Sequence, residues 1–574
     1  MRKLVHYLKP YRKQCTIGPF CKLMEAILEL LLPSVMAIVI DQGVAHNDLP
    51  FVFMLGGLMI LMVFAGFGFS ITCQYNAALA SQGFGTNLRN IVFHHISQFS
   101  YEDIDYFSTS SLTNRLSNDI NQLQVAVAML IRLVIRSPFI VIGSLIITMF
   151  LDMRLAFILL ASVPVNALIL YVYIRCSAPL YRYYQKKLDR FATILDDNFA
   201  GIRVIRAFVS QHKERVRFHE AADDLQKQMM KVSRLSSLLN PFTSLIVNGA
   251  IVVILYTGGW QIEIGGIQAG VIIAFINYAT QILLALVATS NLIVIFTKAS
   301  ASAQRINEVL DHEPSMRQGR QAITPCGDMA VSFEQVSFSY GEGDAALSDI
   351  SFTVKTNETI GVIGGTGSGK STLAHLLCRF YDPDEGTIRL FHHPIEEYDA
   401  QSLAKAVCIV PQTNEVFHMS IRDNLTLGLT DVAESDIRTA LEDAQAMEFI
   451  QELPKGLDTM LERGGTNLSG GQKQRLCIAR ALLRKSAILI LDDSCSALDF
   501  RTDAALRKAL YARKQTKFII SQRVGTLMNC DRILVLNDGR IAGFDTHRQL
   551  YEHCAVYREL CESQAIGRDD YAES

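Results

Sequence analysis

Two stretches in the C-terminal half carry residue types and spacings able to grip phosphate and a divalent cation. Gly364, Gly365, Thr366, Gly367, Ser368, Gly369, Lys370 and Ser371 follow the strand-like run Thr359-Ile360-Gly361-Val362-Ile363 and precede the helix-forming Thr372-Leu373-Ala374-His375-Leu376-Leu377. That order makes a phosphate loop. Glycines let backbone N–H groups curl around phosphates at a helix N-terminus, Lys370 neutralises the outer phosphates, and the Ser371 hydroxyl can ligate Mg²⁺. A plain glycine-rich turn is the bland alternative, and the Lys-Ser ending in a strand-loop-helix setting weighs against it. Farther on, Ala487-Ile488-Leu489-Ile490-Leu491 is an apolar run of the kind a buried parallel strand needs. It ends in Asp492, a carboxylate able to hold the Mg²⁺ shell. The chemistry implied is binding of a nucleoside triphosphate with Mg²⁺.

Strands and helices of an α/β domain must position these residues, and the chain before that domain is of another kind. At 574 residues it is too long for one core, and 50% hydrophobic with 19% charged residues points to a membrane protein. A net charge of -2 argues against a nucleic-acid partner, which would require many neutralised phosphates. Six apolar stretches, near 17–40, 50–78, 125–151, 155–174, 237–259 and 271–297, can each cross about 30 Å of hydrocarbon as helices. Loops after the first, third and fifth stretches carry one basic residue, Arg154, whereas Arg175, Lys186, Lys187, Arg190, Arg203, Arg206 and Arg234 crowd the segment after the fourth. The positive-inside rule then puts both termini in the cytosol. Segments 79–124 and 175–236 are longer than connections need and read as helical extensions into the cytosol. The 12 cysteines show no Cys-x-x-Cys pair and read as packing residues. The N-terminus, Met1-Arg2-Lys3-Leu4-Val5-His6-Tyr7, lacks a small-residue cleavage site after its apolar stretch, so the first span is expected to be retained.

Between the two phosphate-binding stretches lies Leu468-Ser469-Gly470-Gly471-Gln472, followed by the helix-forming Lys473-Gln474-Arg475-Leu476-Cys477-Ile478-Ala479-Arg480. The pentapeptide resembles the signature of ABC transporters, and Ile488 to Asp492 resembles their Walker B strand. Over nearly its whole length the chain is similar to ABC exporters, in which an α-helical type-1 domain of six long helices precedes an α/β ATPase domain. The resemblance implies a membrane domain at 1–312 with two cytosolic coupling regions, a linker at 313–330, a nucleotide-binding domain at 331–565 and a tail at 566–574. It implies ATP and Mg²⁺ as cofactors, with Ser371, Gln412 and Asp492 around the metal. Tyr340 matches the aromatic residue that stacks on adenine, and Gln412 the loop glutamine that reaches Mg²⁺ and the membrane domain. Ser496, Ala497, Leu498 and Asp499 match the loop crossing the dimer interface. Family members sandwich two ATP molecules between two such domains, so Ser469 faces a γ-phosphate held by the partner's phosphate loop. Phe99 to Phe107 and Asn198 to Ile205 look like the two coupling regions that dock onto ATPase domains.

The chain departs from the family at the step of hydrolysis. After Walker B the family has Asp-Glu, the glutamate positioning the attacking water, whereas this chain has Asp492-Asp493. That shortens the reach by about 1.5 Å, one C–C bond. At the later switch position the family has histidine; Phe518-Ile519-Ile520-Ser521-Gln522-Arg523 puts Gln522 there, able to hydrogen-bond a γ-phosphate but not to carry charge. Both changes strike one chemical step while every ATP-gripping residue is intact. The pattern resembles the degenerate-site subunit of heterodimeric bacterial exporters, whose partner chain carries the intact glutamate and histidine. A regulatory ATP-binding subunit and a slow homodimeric exporter are the alternatives. Ser494-Cys495 replaces the usual Pro-Thr, with no consequence assigned.

The expected partners are thus a second half-transporter, the lipid bilayer and a small or amphipathic substrate, in the plasma membrane of a bacterium. Drugs, lipids and peptides stay open as cargo. Glu25 and Glu29 in the first span, and Arg132 and Arg136 in the third, are each spaced four apart on one helix face. The expectation is that acids and arginines pair between helices or sit near the inner membrane face; the alternative is that the acids line a cavity for cationic substrates.

Overall fold

A computed structural model describes residues 2–316, 319–323, 327–341, 343–494, 498–564 and 566. It divides into two compact units, Met1–Ser97 with Thr109–Glu313, and Gln98–Ser108 with Pro314–Ser574.

In the first unit, six helices among the described residues are long and apolar enough to cross a membrane: Lys3–Val44, Leu49–Ile96, Thr109–Leu151, Met153–Ala200, Gln211–Glu263 and Ala269–Asp311. The six expected spans are therefore present. The second helix has 48 residues, which at 1.5 Å per residue is about 72 Å, more than twice the hydrocarbon thickness. The second to fifth helices run on past their apolar stretches into segments 79–124 and 175–236, as the sequence predicts. With lipid as the surrounding solvent, large apolar side chains stay on outer faces, as Phe64 at 71% and Phe150 at 87% exposure do. Leu30, Ile140, Leu155, Leu159, Ile254 and Phe275 build the packed interior. Buried Tyr278 donates its hydroxyl to the Leu30 carbonyl at 2.7 Å and lies 2.7 Å from Ser34 Oγ, so its polar end is satisfied.

The intramembrane charges pair, but not wholly as expected. Arg136 reaches Glu29 across helices at 2.7 Å, while Glu25 is held by Lys22 of its own helix at 2.7 Å. Three residues along a helix bring two side chains together, and that local geometry competes with the interhelical partner.

The long segment after the second span is not one continuous extension. Ser100 and Asp103 form a capping box: Asp103 N–H donates to Ser100 Oγ at 3.1 Å and Ser100 N–H to Asp103 Oδ2 at 2.9 Å. This starts the short helix Tyr101–Phe107, ended by Ser108 at φ 59°. The second long segment breaks at Gly201 and again at Val209, φ 51°, around the helix Ile202–Ala207.

In the second unit, β1 (Met329–Ser339), β2 (Ala345–Lys355), β4 (Glu385–Leu390) and β5 (His393–Pro394) form an antiparallel sheet in the order β2-β1-β4-β5. A second sheet runs β10-β9-β3-β8-β7-β6, built from β3 (Thr359–Gly364), β6 (Val407–Val410), β7 (Ile488–Asp492), β8 (Thr516–Ile520), β9 (Arg532–Asn537) and β10 (Arg540–Asp545). All its neighbours are parallel except the β9–β10 edge pair. Strands β3, β7 and β8 are buried along their whole length, which is why residues 360–363, 488–491 and 518–520 are apolar without alternation, while the buried Lys517 of β8 donates to the Arg513 and Gln515 carbonyls. Loops carrying ligand-binding residues leave the carboxyl ends of such strands.

Candidate functional site

The phosphate loop leaves β3 at Gly364 and enters the helix Lys370–Leu377. Gly369, its N-cap, has φ 96°, and a Cβ there would lie 2.5 Å from Leu347 Cδ2 and 2.7 Å from the Ala346 carbonyl. Only glycine fits. Gly364 is equally confined, by the Leu536 carbonyl and Ser368 Oγ, whereas Cβ atoms on Gly365 or Gly367 would meet open space. The loop is therefore packed behind and open in front. Thr366 is exposed, Ser368 and Thr372 are buried, and Ser371 is half-buried. Lys370 Nζ donates to the carbonyls of Gly364 at 2.9 Å and Gly365 at 2.6 Å. Burial lowers the Lys370 pKa, with Asp492 and Asp493 opposing.

The other candidate residues sit at neighbouring strand ends. β8 lies between β3 and β7, and β6 beyond β7, so the phosphate loop, the Gln522 loop, Asp492-Asp493 and Pro411-Gln412 all emerge along one edge. Asp492 is 5% exposed and hydrogen-bonded to Ser371. Burial raises its carboxyl above the usual range, against the lowering effects of the Ser371 bond, His375 and Lys370. A carboxylate and a hydroxyl joined at the mouth of the loop are hard oxygen donors of the kind Mg²⁺ takes, and the glycine cradle suits a triphosphate. The residues fit Mg²⁺ with ATP.

Asp493 follows at φ 45°, its N–H donating to the Ile520 carbonyl at 3.0 Å. Burial raises its carboxyl first and the Asp492 charge second, with Arg523 and Lys370 opposing. Gln522 is exposed, just past Ser521, whose N–H donates to the Val362 carbonyl at 3.1 Å. Gln412 is exposed beyond the end of β6.

Tyr340 is 42% exposed, edge-on to Phe338 and Tyr381, with its hydroxyl 3.3 Å from Thr372 Oγ1 and 3.3 Å from His375 Nδ1. These contacts hold the ring beside the loop helix with surface left for an adenine. Burial raises its pKa.

The signature forms the start of the helix Gly470–Leu483. Ser469 is the N-cap and Gln472 completes a capping box: Gln472 N–H donates to Ser469 Oγ at 3.3 Å and Ser469 N–H to Gln472 Oε1 at 2.8 Å. Leu468 is buried beneath, Ser469 and Gly470 are exposed, and Gly471 is half-buried. A capped helix N-terminus with an exposed serine hydroxyl is suited to an anion. Asp499 caps the helix Phe500–Ala512 through Thr502 N–H at 2.9 Å, and Leu498 is buried. Ser496 and Ala497 of the interface loop lie outside the described residues, as does Cys495.

Three groups at the site carried no signal of a role. His375 touches Tyr340 and favours the charged form of Asp492. Arg523 does the same for Asp493. Gln564, 42 residues beyond the switch, accepts from Val524 N–H and donates to the Gln522 carbonyl, each at 2.8 Å, holding that loop from both sides. The Ser-x-x-Gln capping spacing could have been read from the sequence; the Gln564 clamp could not.

Comparison with known proteins agrees with this arrangement. Residues 15–286 match the ABC transporter transmembrane region family and residues 347–496 the family described as ABC transporter. YfiB of Bacillus subtilis (strain 168), an uncharacterized ABC transporter ATP-binding protein, is 38% identical over 570 residues, 99% of each chain. An ATP-dependent lipid A-core flippase of Alkalilimnicola ehrlichii is 30% identical over 571 residues, 99% of this chain and 97% of that one. The solved structure of a bacterial Atm1-family ABC exporter with ATP bound shares the fold, with a TM-score of 0.81 at 23% identity over 97% of this chain and 99% of that one. The class is a multi-pass membrane protein of type-1 exporter fold with an ATPase in the same chain. The chain belongs to the ABC transporter family, whose exporters act as dimers driven by ATP.

Proposed function

We propose that the chain is one half of a heterodimeric exporter in the plasma membrane of a bacterium, with both termini cytosolic. It moves an amphipathic compound outward, and its own ATP site binds nucleotide but turns it over slowly. The observation that carries the reading is Asp493 where the family has glutamate, together with Gln522 on the adjacent strand end where it has histidine. Every residue that grips nucleotide is intact beside them.

In this reading residues 1–312 form the export domain and 331–565 the ATPase, joined by the linker 313–330. Lys370 and the loop N–H groups from Gly364 to Thr372 hold the phosphates, Tyr340 the adenine, and Ser371, Asp492 and Gln412 the Mg²⁺. ATP and Mg²⁺, when bound, supply the γ-phosphoryl group and neutralise its charge. Asp493 and Gln522 orient the attacking water from the carboxyl edge of the sheet. Asp493 falls one methylene short, and a neutral Gln522 donates a hydrogen bond without a charge. Leu468, Ser469, Gly470, Gly471 and Gln472 complete the partner's site, and Ser496 to Asp499 is the loop that crosses the dimer interface. ATP-driven closure shifts the membrane domains from inward- to outward-facing through differential affinity for the closed state.

Tyr101 stacks on Phe380 with ring centroids 4.5 Å apart and Tyr381 donates to Asp105 at 2.8 Å, which supports a coupling role for the first cytosolic segment. Phe199, Phe208 and Val209, 74%, 77% and 78% exposed, suit the second to docking on another ATPase domain.

Asp493→Asn in the assembled transporter tests the reading. Total ATPase activity is expected to stay near wild type, because the partner's site carries the turnover. A collapse would place essential chemistry at this site and overturn it.

A further inference from the structure

A cavity of about 400 Å³ lies within the second unit, where the segment around Tyr101 meets β6 at the edge of the larger sheet. That volume accommodates a small organic ligand. Its walls include Gln98 to Tyr101, Cys378 to Phe380 just past the phosphate-loop helix, the helix Ala400–Ala406, β6, and Arg484 at the end of the signature helix. Much of that surface is apolar. The stacked rings of Tyr101 and Phe380, 4.5 Å apart, line it together with Leu403, Cys378 and Cys408. Burial pushes both thiols up, so they stay protonated and serve as apolar wall and not as nucleophiles.

The charge of the cavity is one-sided. Among the described residues two guanidiniums line it, Arg379 and Arg484, and no carboxylate side chain does. Arg379 is taken: it pairs with Asp382 at 2.9 Å and donates to the Glu396 carbonyl at 3.2 Å. Arg484 is not. Its Nη1 donates to the Ala404 carbonyl at 3.0 Å; among the described residues its guanidinium makes no other hydrogen bond and no ion pair. A guanidinium carries five donors and stays ionised at any physiological pH, so capping one carbonyl leaves most of this one uncommitted. Arg484 is also half-buried. A partly desolvated cation without a counter-charge is costly, and an incoming anion relieves that cost.

We propose that this cavity binds small monocarboxylates with an aromatic or branched apolar body, the carboxylate pairing with Arg484 and the body lying against Tyr101, Phe380, Leu403 and the two thiols. A guanidinium meets a planar carboxylate through two parallel hydrogen bonds. One uncommitted guanidinium balances a single negative charge, so a dianionic phosphate is the poorer fit. An occupant touches both the segment that carries Tyr101 and β6, the strand that leads to Pro411-Gln412, and should alter ATPase turnover. That consequence rests on the coupling reading above; the binding does not.

The test is equilibrium dialysis of radiolabelled phenylbutyrate against the purified full chain in nanodiscs of zwitterionic lipid, with empty nanodiscs as background and phenylbutylamine and phenylbutanol as competitors of the same body. Phenylbutyrate is expected to bind at least about tenfold more tightly than the amine or the alcohol. Arg484→Gln is expected to remove that preference and Arg484→Lys to keep part of it. Ala400→Phe places a ring in the cavity from an exposed position of its helix and is expected to abolish binding with Arg484 intact. No saturable binding above background, equal affinity for the three compounds, or an undiminished preference in Arg484→Gln overturns the proposal. Retained ATP binding at the phosphate loop shows that each variant is folded; if Arg484→Gln is not, the wild-type series and Ala400→Phe decide. Carboxylate-selective binding that leaves the ATPase activity of the assembled transporter unchanged would count against the coupling reading and leave the binding site standing.

Discussion

Restoring one methylene at Asp493 should restore hydrolysis at this chain's own site. The position cannot adjust by backbone movement: it follows a fully buried strand, and its N–H is bonded to the Ile520 carbonyl at 3.0 Å. Side-chain length therefore sets the reach, and Asp493→Glu extends it by about 1.5 Å. A misplacement of that size costs on the order of 100-fold in rate, about 2.7 kcal/mol of barrier. The change has a counter-cost, because a glutamate at φ 45° is more strained than an aspartate. A loss of up to about 1 kcal/mol in stability is expected and is read by thermal melting. The assay is single-turnover release of γ-phosphate from the assembled transporter with the partner's phosphate-loop lysine replaced, so that only this chain's site reports. Asp493→Glu should raise the rate by about 100-fold, and adding Gln522→His should raise it further. A change below about threefold, or a wild-type rate already matching an intact site, would refute the argument from reach.

Other perturbations follow from the same geometry. Gly369→Ala forces a Cβ against Leu347 and the Ala346 carbonyl at φ 96°, so it should cost about 2–4 kcal/mol in the melt and abolish binding of a fluorescent ATP analogue. Gln472→Ala removes half of the capping box and should cost about 1 kcal/mol, whereas Ser469→Ala should in addition slow ATPase activity at the partner's site. Glu29→Gln strands Arg136, whose side chain is 24% exposed, and should lower stability in detergent by about 1–3 kcal/mol; Glu29→Gln with Arg136→Met should recover most of it. Burial raises the Asp492 carboxyl, so the ligand-free protein binds more protons folded than unfolded in that window. Its contribution to stability is present below the ordinary carboxylate value near about 4 and lost as pH rises through the folded one. Mg²⁺-ATP needs the ionised form, so the thermal shift it produces should shrink as pH falls through the same window.

What could be read from sequence was set by local chemistry. A buried parallel strand must be apolar throughout and its functional residue must sit at its carboxyl end, so Thr359 to Gly364 and Ile488 to Asp492 were legible without a fold. Six spans were legible because bilayer thickness demands about twenty apolar residues each. The break at Ser100 was not recognised, although Ser-x-x-Asp offers a cap, because helical periodicity on either side dominated the segment. Lys22 was overlooked because four-residue spacing drew attention to acids and arginines, while Glu25 found its cation three residues back. The clamp of Gln564 on the Gln522 loop depends on how the C-terminal helix returns to the sheet, and no local pattern encodes that.

Steady-state ATPase activity of the purified chain, alone and mixed with a half-transporter bearing the intact glutamate, tests the central claim most directly. Activity is predicted to emerge only in the mixture and to vanish when the partner's glutamate is replaced. Robust turnover by this chain alone would mean that Asp493 and Gln522 suffice, and would contradict the account.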